Sequence, residues 1–178
     1  ETVLPHARKI RDSLVAAGVR VMLDDRDAYT PGWKFSEWEL RGVPLRLEIG
    51  PKDIEKQQAM LARRDTREKL PTPVDGLPGR VQELLAEIQQ NLFNRALAFQ
   101  QDHTGRATSW DEFTQIMEGR PGFVVSPWCG DAVCEADIKA ATQATIRNLP
   151  MDADVSSGAP CVKCGRPSVA DAWFAKAY

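Results

Sequence analysis

Residues 43–49 read VPLRLEI, a run in which apolar and charged side chains alternate until Gly50-Pro51 ends it. Successive side chains on a strand point to opposite faces, so the run predicts a strand with one buried and one polar face. A helix is predicted over 33–40, after the turn residues at 29–32. A helix over 3–17 followed by an apolar strand at 19–23 repeats this order. The alternation predicts an α/β domain with a mostly parallel or mixed sheet.

Only three strands are visible in this first region, the third being predicted at 58–63. The first helix has no strand before it, so we expect a first strand upstream of Glu1. Pro and Gly residues at 71–79 predict a linker. A long amphipathic helix over 81–103, a helix from the N-cap Ser109 to residue 118 and a strand at 122–126 follow. We therefore predict domains at 1–76 and 106–178, with a connecting helix over 77–105.

The composition is that of an ordinary globular protein, with 43% hydrophobic and 27% charged residues. No apolar run approaches the roughly 18 residues of a membrane span, and no export signal is visible, so we expect no membrane association and a cytoplasmic location. The net charge of -2 is unevenly distributed: residues 1–70 carry 14 Lys/Arg against 12 Asp/Glu, and the rest 9 against 13. A nucleic-acid partner would bind the first half, unless this small excess is only a solvated mixed-charge surface.

Four cysteines carry the strongest chemical signal, as the pairs Cys129-x4-Cys134 and Cys161-x2-Cys164 with 26 residues between them. Short spacings of this kind let two thiolates reach one ion, and two such pairs complete a closed tetrahedral zinc site. No spare histidine or carboxylate stands beside the pairs, so the predicted metal is structural. Unrelated thiols and a redox Cys-x-x-Cys at the second pair are the alternatives, although Pro160 and Gly165 favour a loop over a helix N-terminus there.

Residues 31–53, PGWKFSEWELRGVPLRLEIGPKD, resemble the anticodon-binding domain of archaeal or eukaryotic-like prolyl-tRNA synthetases. The second half resembles the zinc-binding C-terminal domain of the same family. Its matching positions are 122–123, 128–131, 134–135, 138–139, 144–147, the Cys161/Cys164 pair and the terminal Ala177-Tyr178. The resemblance therefore covers nearly the whole chain and predicts a small mixed-sheet anticodon-binding domain, a connecting helix and a small α+β zinc domain.

The resemblance implies a class II aminoacyl-tRNA synthetase that joins proline to its tRNA with ATP and Mg²⁺. The catalytic domain is expected upstream in the same polypeptide, the full-length protein is expected to be a homodimer, and this fragment alone is expected to be inactive. The terminal carboxylate of Tyr178 is expected to approach the active site. A free-standing zinc-stabilised RNA-binding or regulatory module is the alternative.

The resemblance also makes chemical sense of the charged strand, because proline anticodons share two guanines. Guanine presents O6 and N7 to Arg or Lys, and its N1–H and N2–H₂ to a carboxylate. The candidate residues are Glu39, Arg46, Glu48 and Lys52, with Trp33 and Phe35 as possible stacking platforms. The other interpretation is that the aromatic residues only pack the helix and that Arg46 and Glu48 form a surface pair.

Overall fold

The computed structural model describes residues 3–119, 122–151 and 159–176. The chain forms two compact units, Glu1–Arg95 and Ala96–Tyr178, which divide within one long helix. Within the described residues, no helix has both the length and the apolar character needed to cross a membrane. The predicted division at residues 76 and 105 stays a prediction.

The first unit places helices on a three-stranded sheet. Its elements are α1 (Val3–Ala16), α2 (Pro31–Leu40), β1 (Leu45–Glu48), α3 (Pro51–Glu55), β2 (Gln58–Arg63), β3 (Lys69–Pro73) and the first part of α4 (Leu77–Asp102). The sheet order is β1-β2-β3, and both pairings are antiparallel. Thr30 caps α2 by accepting a hydrogen bond from the Trp33 N–H. The predicted α2, β1, β2 and long helix are confirmed.

The core of this unit explains the two faces of β1. Buried side chains from α1, β2 and α4 form it: Ile10, Leu14, Ala59, Leu61, Leu77, Val81 and Leu84. Leu45, Leu47 and Ile49 pack against this core. Their alternate neighbours Arg46 and Glu48 therefore lie on the opposite face of the strand, as the sequence pattern predicts.

The strand predicted at 19–23 is wrong for the described structure. Val19 and Val21 do pack against the core, while Arg20 and Met22 are exposed, so the strand-like alternation is present. No strand among residues 3–119 forms a ladder with this segment. An apolar alternation reports burial, whereas a strand also needs a hydrogen-bonded neighbour.

The linker predicted around Pro71–Pro73 is also wrong, because these residues belong to the edge strand β3. Directly after β3, Val74 donates its N–H at 2.9 Å to the carbonyl of Gln57, the residue before β2. By alternation, the nitrogens of Pro71 and Pro73 point to the outer edge, where they remove the donors that another strand would need. The prolines protect the edge, which is why they resemble a linker in the sequence.

The second unit is built on a four-stranded mixed sheet. Its elements after α4 are β4 (Thr104–Arg106), α5 (Trp110–Glu118), β5 (Phe123–Trp128), α6 (Ala132–Thr142), β6 (Ala144–Asn148) and β7 (Ala170–Lys176). The order is β4-β5-β7-β6, with β4 parallel to β5 and the other pairs antiparallel. Ser109 caps α5 as predicted, and Phe113 meets Phe174 edge-on, 5.2 Å between ring centroids. The predicted α/β class is confirmed, with a mixed sheet in this unit, whereas the described sheet of the first unit is antiparallel and not mostly parallel or mixed.

Candidate functional sites: a charged strand face and a cysteine cluster

Arg46 lies at the centre of a charge cluster on the polar face of β1. Its Nε and Nη2 donate to Oε1 of Glu48 at 3.0 and 2.9 Å, and its Nη1 donates to Oε1 of Glu39 at 3.1 Å. The guanidinium carbon lies 4.2 Å from the ring centroid of Phe35, so the ring supports it from one side. The structure thus brings together four of the predicted residues.

Two further cations, Arg67 and Lys69, join this group and complete what we name the β1 charge cluster (Glu39, Arg46, Glu48, Arg67 and Lys69). Arg67 Nη1 lies 2.5 Å from Oε2 of Glu39, and Lys69 Nζ lies 3.0 Å from Oε2 of Glu48. Hydrogen bonds from Arg67 and then Arg46 hold the pKa of the Glu39 carboxyl below its usual range. That carboxyl is therefore ionised at neutral pH.

The register of the sheet explains why sequence reasoning missed Lys69. Ala62 of β2 is the partner of Arg46 on one side and of Lys69 on the other. Directly opposed residues share a face, so both cations lie on the same side of the sheet, across the small Ala62 side chain. Once β3 is recognised as a strand, its alternation places Lys69 on this face.

Trp33 lies in a different group. Its ring stacks on Tyr29 with centroids 3.9 Å apart, and the Arg26 guanidinium lies over both rings. Arg26 in turn pairs with Asp24 and Glu37, and its hydrogen bond holds the pKa of the Asp24 carboxyl well below the usual range. Trp33 and Tyr29 are 44% and 41% exposed, which leaves part of each ring available to solvent.

Lys52 is exposed on α3 and has no hydrogen bond or ion pair from its side chain within the described residues. The structure therefore neither places it in the β1 charge cluster nor gives it another structural partner. Tyr178, predicted to reach an active site, lies outside the described residues.

The four cysteine sulfurs converge as their spacing predicts. Their Sγ atoms all lie within 4.8 Å of one another. Cys134 and Cys161 are 3.7 Å apart, and Cys129 and Cys164 are 3.6 Å apart. Tetrahedral coordination with metal–sulfur bonds of about 2.3 Å requires sulfurs about 3.8 Å apart. The donor set therefore fits one thiophilic ion, and no disulfide joins these cysteines.

Local turns aim each pair at the common centre. Cys129 follows β5 directly, Gly130 takes the left-handed backbone conformation (φ 81°), and Cys134 lies in the first turn of α6. In the second pair, Gly165 donates to the Cys161 carbonyl at 3.0 Å, while Cys161 donates to the Arg166 carbonyl at 2.7 Å. These bonds fold the second pair into a loop, as predicted.

Arg166 borders the cluster and was not predicted. It donates to Sγ of Cys164 at 3.4 Å and of Cys129 at 3.6 Å, and it pairs with Asp131. The bond from Arg166 lowers the pKa of the exposed Cys164 thiol to about 6, whereas burial raises the pKa of Cys134 and of Cys129. The sequence hints at this contact only by placing Arg166 two residues after Cys164.

Comparison with known proteins finds a family match for each half of the chain. Residues 1–84 match the family described as "Anticodon binding domain". Residues 110–178 match the family described as "Prolyl-tRNA synthetase, C-terminal". The chain belongs to the prolyl-tRNA synthetase family and represents its C-terminal, anticodon-binding part. The archaeal or eukaryotic-like type stays a prediction.

Similar full-length proteins are proline–tRNA ligases from several organisms. Proline–tRNA ligase 2 of Clostridioides difficile is 48% identical over 99% of this chain and 36% of its own length. The proline–tRNA ligase of Alkaliphilus oremlandii is 46% identical over 100% of this chain and 37% of its own length. That of Symbiobacterium thermophilum is 45% identical, over 94% and 35% respectively. The chain thus spans just over a third of the length of these relatives.

Proposed function

We propose that this chain is the tRNA-recognition part of a proline–tRNA ligase and that it reads the two anticodon guanines through the β1 charge cluster. The observation that carries the proposal is the Arg46–Glu39 pair, in which a donor on β1 and an acceptor at the end of α2 lie side by side, with Arg46 Nη1 3.1 Å from Glu39 Oε1. Guanine carries the complementary acceptors and donors. The relatives' names support proline tRNA as the partner.

Arg46 has the donors that a guanine edge needs. Three of its N–H groups are engaged by Glu48 and Glu39. The second N–H groups on Nη1 and Nη2 have no acceptor within the described residues, and a guanidinium can present such a pair to O6 and N7. We assign Arg46 to that role and Glu39 to the N1–H and N2–H₂ side. Glu48, bonded twice to Arg46, orients the guanidinium.

The remaining candidates take supporting roles in this proposal. Phe35 packs on Arg46 and limits its motion. Trp33, stacked on Tyr29, offers an exposed ring for an unstacked loop base. Lys52, exposed and without an ion-pair partner within the described residues, provides a charge for guanine or phosphate. These three residues were all predicted from the sequence, and the proposal adds a role for each.

We propose that the cysteine cluster binds one structural Zn²⁺. Thiolates are preferred zinc ligands, and four of them leave no open position for a reacting water. A bound ion would supply folding energy by joining the loop after β5 to the 161–164 loop. Arg166 would neutralise part of the negative charge that four thiolates and one dication leave.

The ligase reaction itself is part of the proposal. We assign ATP and Mg²⁺ chemistry to a catalytic domain elsewhere in the same polypeptide, because the two matched families account for 1–84 and 110–178 here. We also propose a cytoplasmic location, because tRNA is charged for translation there. We also propose that the full-length protein is a homodimer, which light scattering would test.

Binding of two matched tRNA transcripts tests the function. One carries a proline anticodon, and the other is identical except that adenines replace the two shared guanines. We expect binding of the first to be at least about 10-fold tighter, since each bidentate base contact contributes roughly 1–3 kcal/mol of discrimination. ATP–pyrophosphate exchange by the 178-residue chain alone should be absent. Equal affinity for both transcripts would refute the proposed recognition.

A further inference from the structure

We propose that Arg67 is a further RNA-binding residue: it occupies Glu39 in the free protein and moves to an RNA phosphate when guanine takes its place. The proposal rests on the guanine-reading function given above. It adds a residue outside the predicted set, on the hairpin between β2 and β3. The ligand is the phosphate backbone of the anticodon loop.

Competition for Glu39 is the first part of the argument. Both oxygens of this carboxylate are engaged, Oε1 by Arg46 and Oε2 by Arg67. A guanine that donates N1–H and N2–H₂ to the carboxylate needs one acceptor position on each oxygen, and each oxygen already accepts from one cation. An oxygen has two lone-pair positions, so the base shares Glu39 with the cations, weakens their hold on it and favours release of the one bound least firmly.

Arg67 is the cation that is free to shift. Arg46 keeps two hydrogen bonds to Glu48 and its contact with Phe35 whatever happens at Glu39. The Arg67 side chain has no second hydrogen-bond or ion-pair partner within residues 3–119, and it is 66% exposed against 18% for Arg46. An exposed arginine released beside a bound anticodon loop is positioned to pair with phosphate.

The backbone at Arg67 allows the side chain to be tested separately from the fold. Its φ of 66° is in the left-handed region, which a residue with a Cβ disfavours and glycine adopts freely. The turn is held by a hydrogen bond from the Arg67 N–H to the Arg63 carbonyl at 3.1 Å. Glycine can therefore replace Arg67 without straining the turn.

The Arg67→Gly variant separates this function from folding. Glycine suits the backbone, so we expect a melting temperature no lower than that of the unchanged chain. Binding to the two transcripts described above is measured at several salt concentrations. For the proline-anticodon transcript we expect roughly 5- to 10-fold weaker binding and a salt slope smaller by about one. For the adenine-substituted transcript we expect a change of less than about 2-fold, because no guanine displaces Arg67 from Glu39 there. Arg67→Lys should restore part of the affinity.

Two matched controls separate the effect of losing the Arg67 side chain from the effect of relieving a left-handed backbone and from the effect of losing any positive charge. Gln57→Gly relieves another left-handed non-glycine residue (φ 53°) without removing a cation. Arg80→Ala removes a partly exposed arginine that is also paired with carboxylates, Glu83 and Glu87. Both should change binding by less than about 2-fold, since neither removes a phosphate contact.

The outcomes separate the two proposals. Unchanged or tighter binding by Arg67→Gly would overturn the phosphate role and leave Arg67 as a competitor only. A loss on the proline-anticodon transcript with an unchanged salt slope would indicate a base contact and also overturn it. An equal loss on both transcripts would show that guanine does not release Arg67, and would overturn it as well. If the unchanged chain binds both transcripts equally, the guanine-reading function fails, whatever Arg67→Gly does.

Discussion

Oε1 of Glu48 accepts two hydrogen bonds from one guanidinium, from Arg46 Nε at 3.0 Å and from Arg46 Nη2 at 2.9 Å. The two residues are separated by one position on β1, so the strand itself sets their spacing. With Phe35 packed on the guanidinium, the pair fixes the plane in which Arg46 can meet a base. Glu48 is therefore a positioning residue, and Arg46 is the residue that it positions.

This relationship predicts the effect of Glu48→Gln. Glutamine keeps the size of the side chain but loses the charge that orients Arg46, so proline-anticodon binding should weaken by roughly 3- to 10-fold. Binding to the adenine-substituted transcript should stay the same. Glu83→Gln, which alters an exposed Arg–Glu pair on α4, is the matched control. Equal weakening on both transcripts would show that Glu48 supports the fold or the backbone contacts instead.

The charged face of β1 was predictable because it depends only on the local alternation of apolar and charged residues. Alternation in 43–49 placed Arg46 and Glu48 opposite the apolar residues, and the structure has the same arrangement. Arg67 and Lys69 were not predictable, because their approach depends on the β1-β2-β3 register and on a strand hidden by Pro71 and Pro73. The strand predicted at 19–23 was wrong for a related reason, because the sequence of one segment does not say whether another strand will pair with it.

The sequence predicted which four cysteines form the cluster, but not which other side chains surround it. Sequence spacing alone was enough to group the four thiols, which the structure places within 4.8 Å of one another. The contacts of Arg166 with two of these sulfurs depend on how the 161–164 loop folds back, which spacing does not report. Long-range orientation of side chains is again what the sequence leaves open.

Removal of one ligand should unfold the second unit locally. Cys161→Ser deletes a buried ligand, and structural zinc can contribute on the order of 10 kcal/mol to the folding of such modules. We expect loss of one bound zinc by mass spectrometry and loss of amide-exchange protection in β5, α6 and β7. Protection of β2 in the first unit should persist and is the internal control. A metal-free variant that melts like the unchanged chain would contradict the structural role.

The two glycines of the cysteine loops should respond differently to alanine. Both have left-handed backbones, φ 81° at Gly130 and 73° at Gly165, so each substitution costs about 1 kcal/mol. At Gly130, the new Cβ would also lie 2.9 Å from Cγ2 of Val169, while at Gly165 nothing lies within 4 Å. Gly130→Ala should therefore lower stability and zinc retention more than Gly165→Ala. Equal losses in chemical denaturation would contradict the steric difference.

Acid should destabilise the first unit through Asp65. Its carboxylate accepts from Arg63 at 3.1 and 2.9 Å and from Asn91 at 2.6 Å, and its side chain is 1% exposed. The bond from Arg63 holds the pKa of Asp65 well below its usual range. The folded pKa is below the unfolded value of about 3.9, so the stabilisation is fully present above that value and is lost as pH falls through the folded pKa.

The Asp65→Asn variant tests whether Asp65 causes this loss of stability in acid. The variant should be less stable at pH 7 and should lose less further stability between about pH 5 and pH 2 than the unchanged chain. Urea unfolding at each pH, followed in the first unit by amide exchange, measures both effects. Asp75→Asn, at an exposed position, is the control. A parallel fall in stability for Asp65→Asn and the unchanged chain would exclude Asp65 as the source.

The central contact, Arg46 with a guanine edge, is tested most directly by a double-mutant cycle. Arg46→Ala is combined with a proline-anticodon transcript in which 7-deazaguanine removes the N7 acceptor from each shared guanine. If Arg46 bonds that edge, the two changes interact, and we predict a coupling free energy of about 1 kcal/mol or more. Strictly additive losses, with each single change weakening binding independently, would contradict the contact and with it the recognition mechanism.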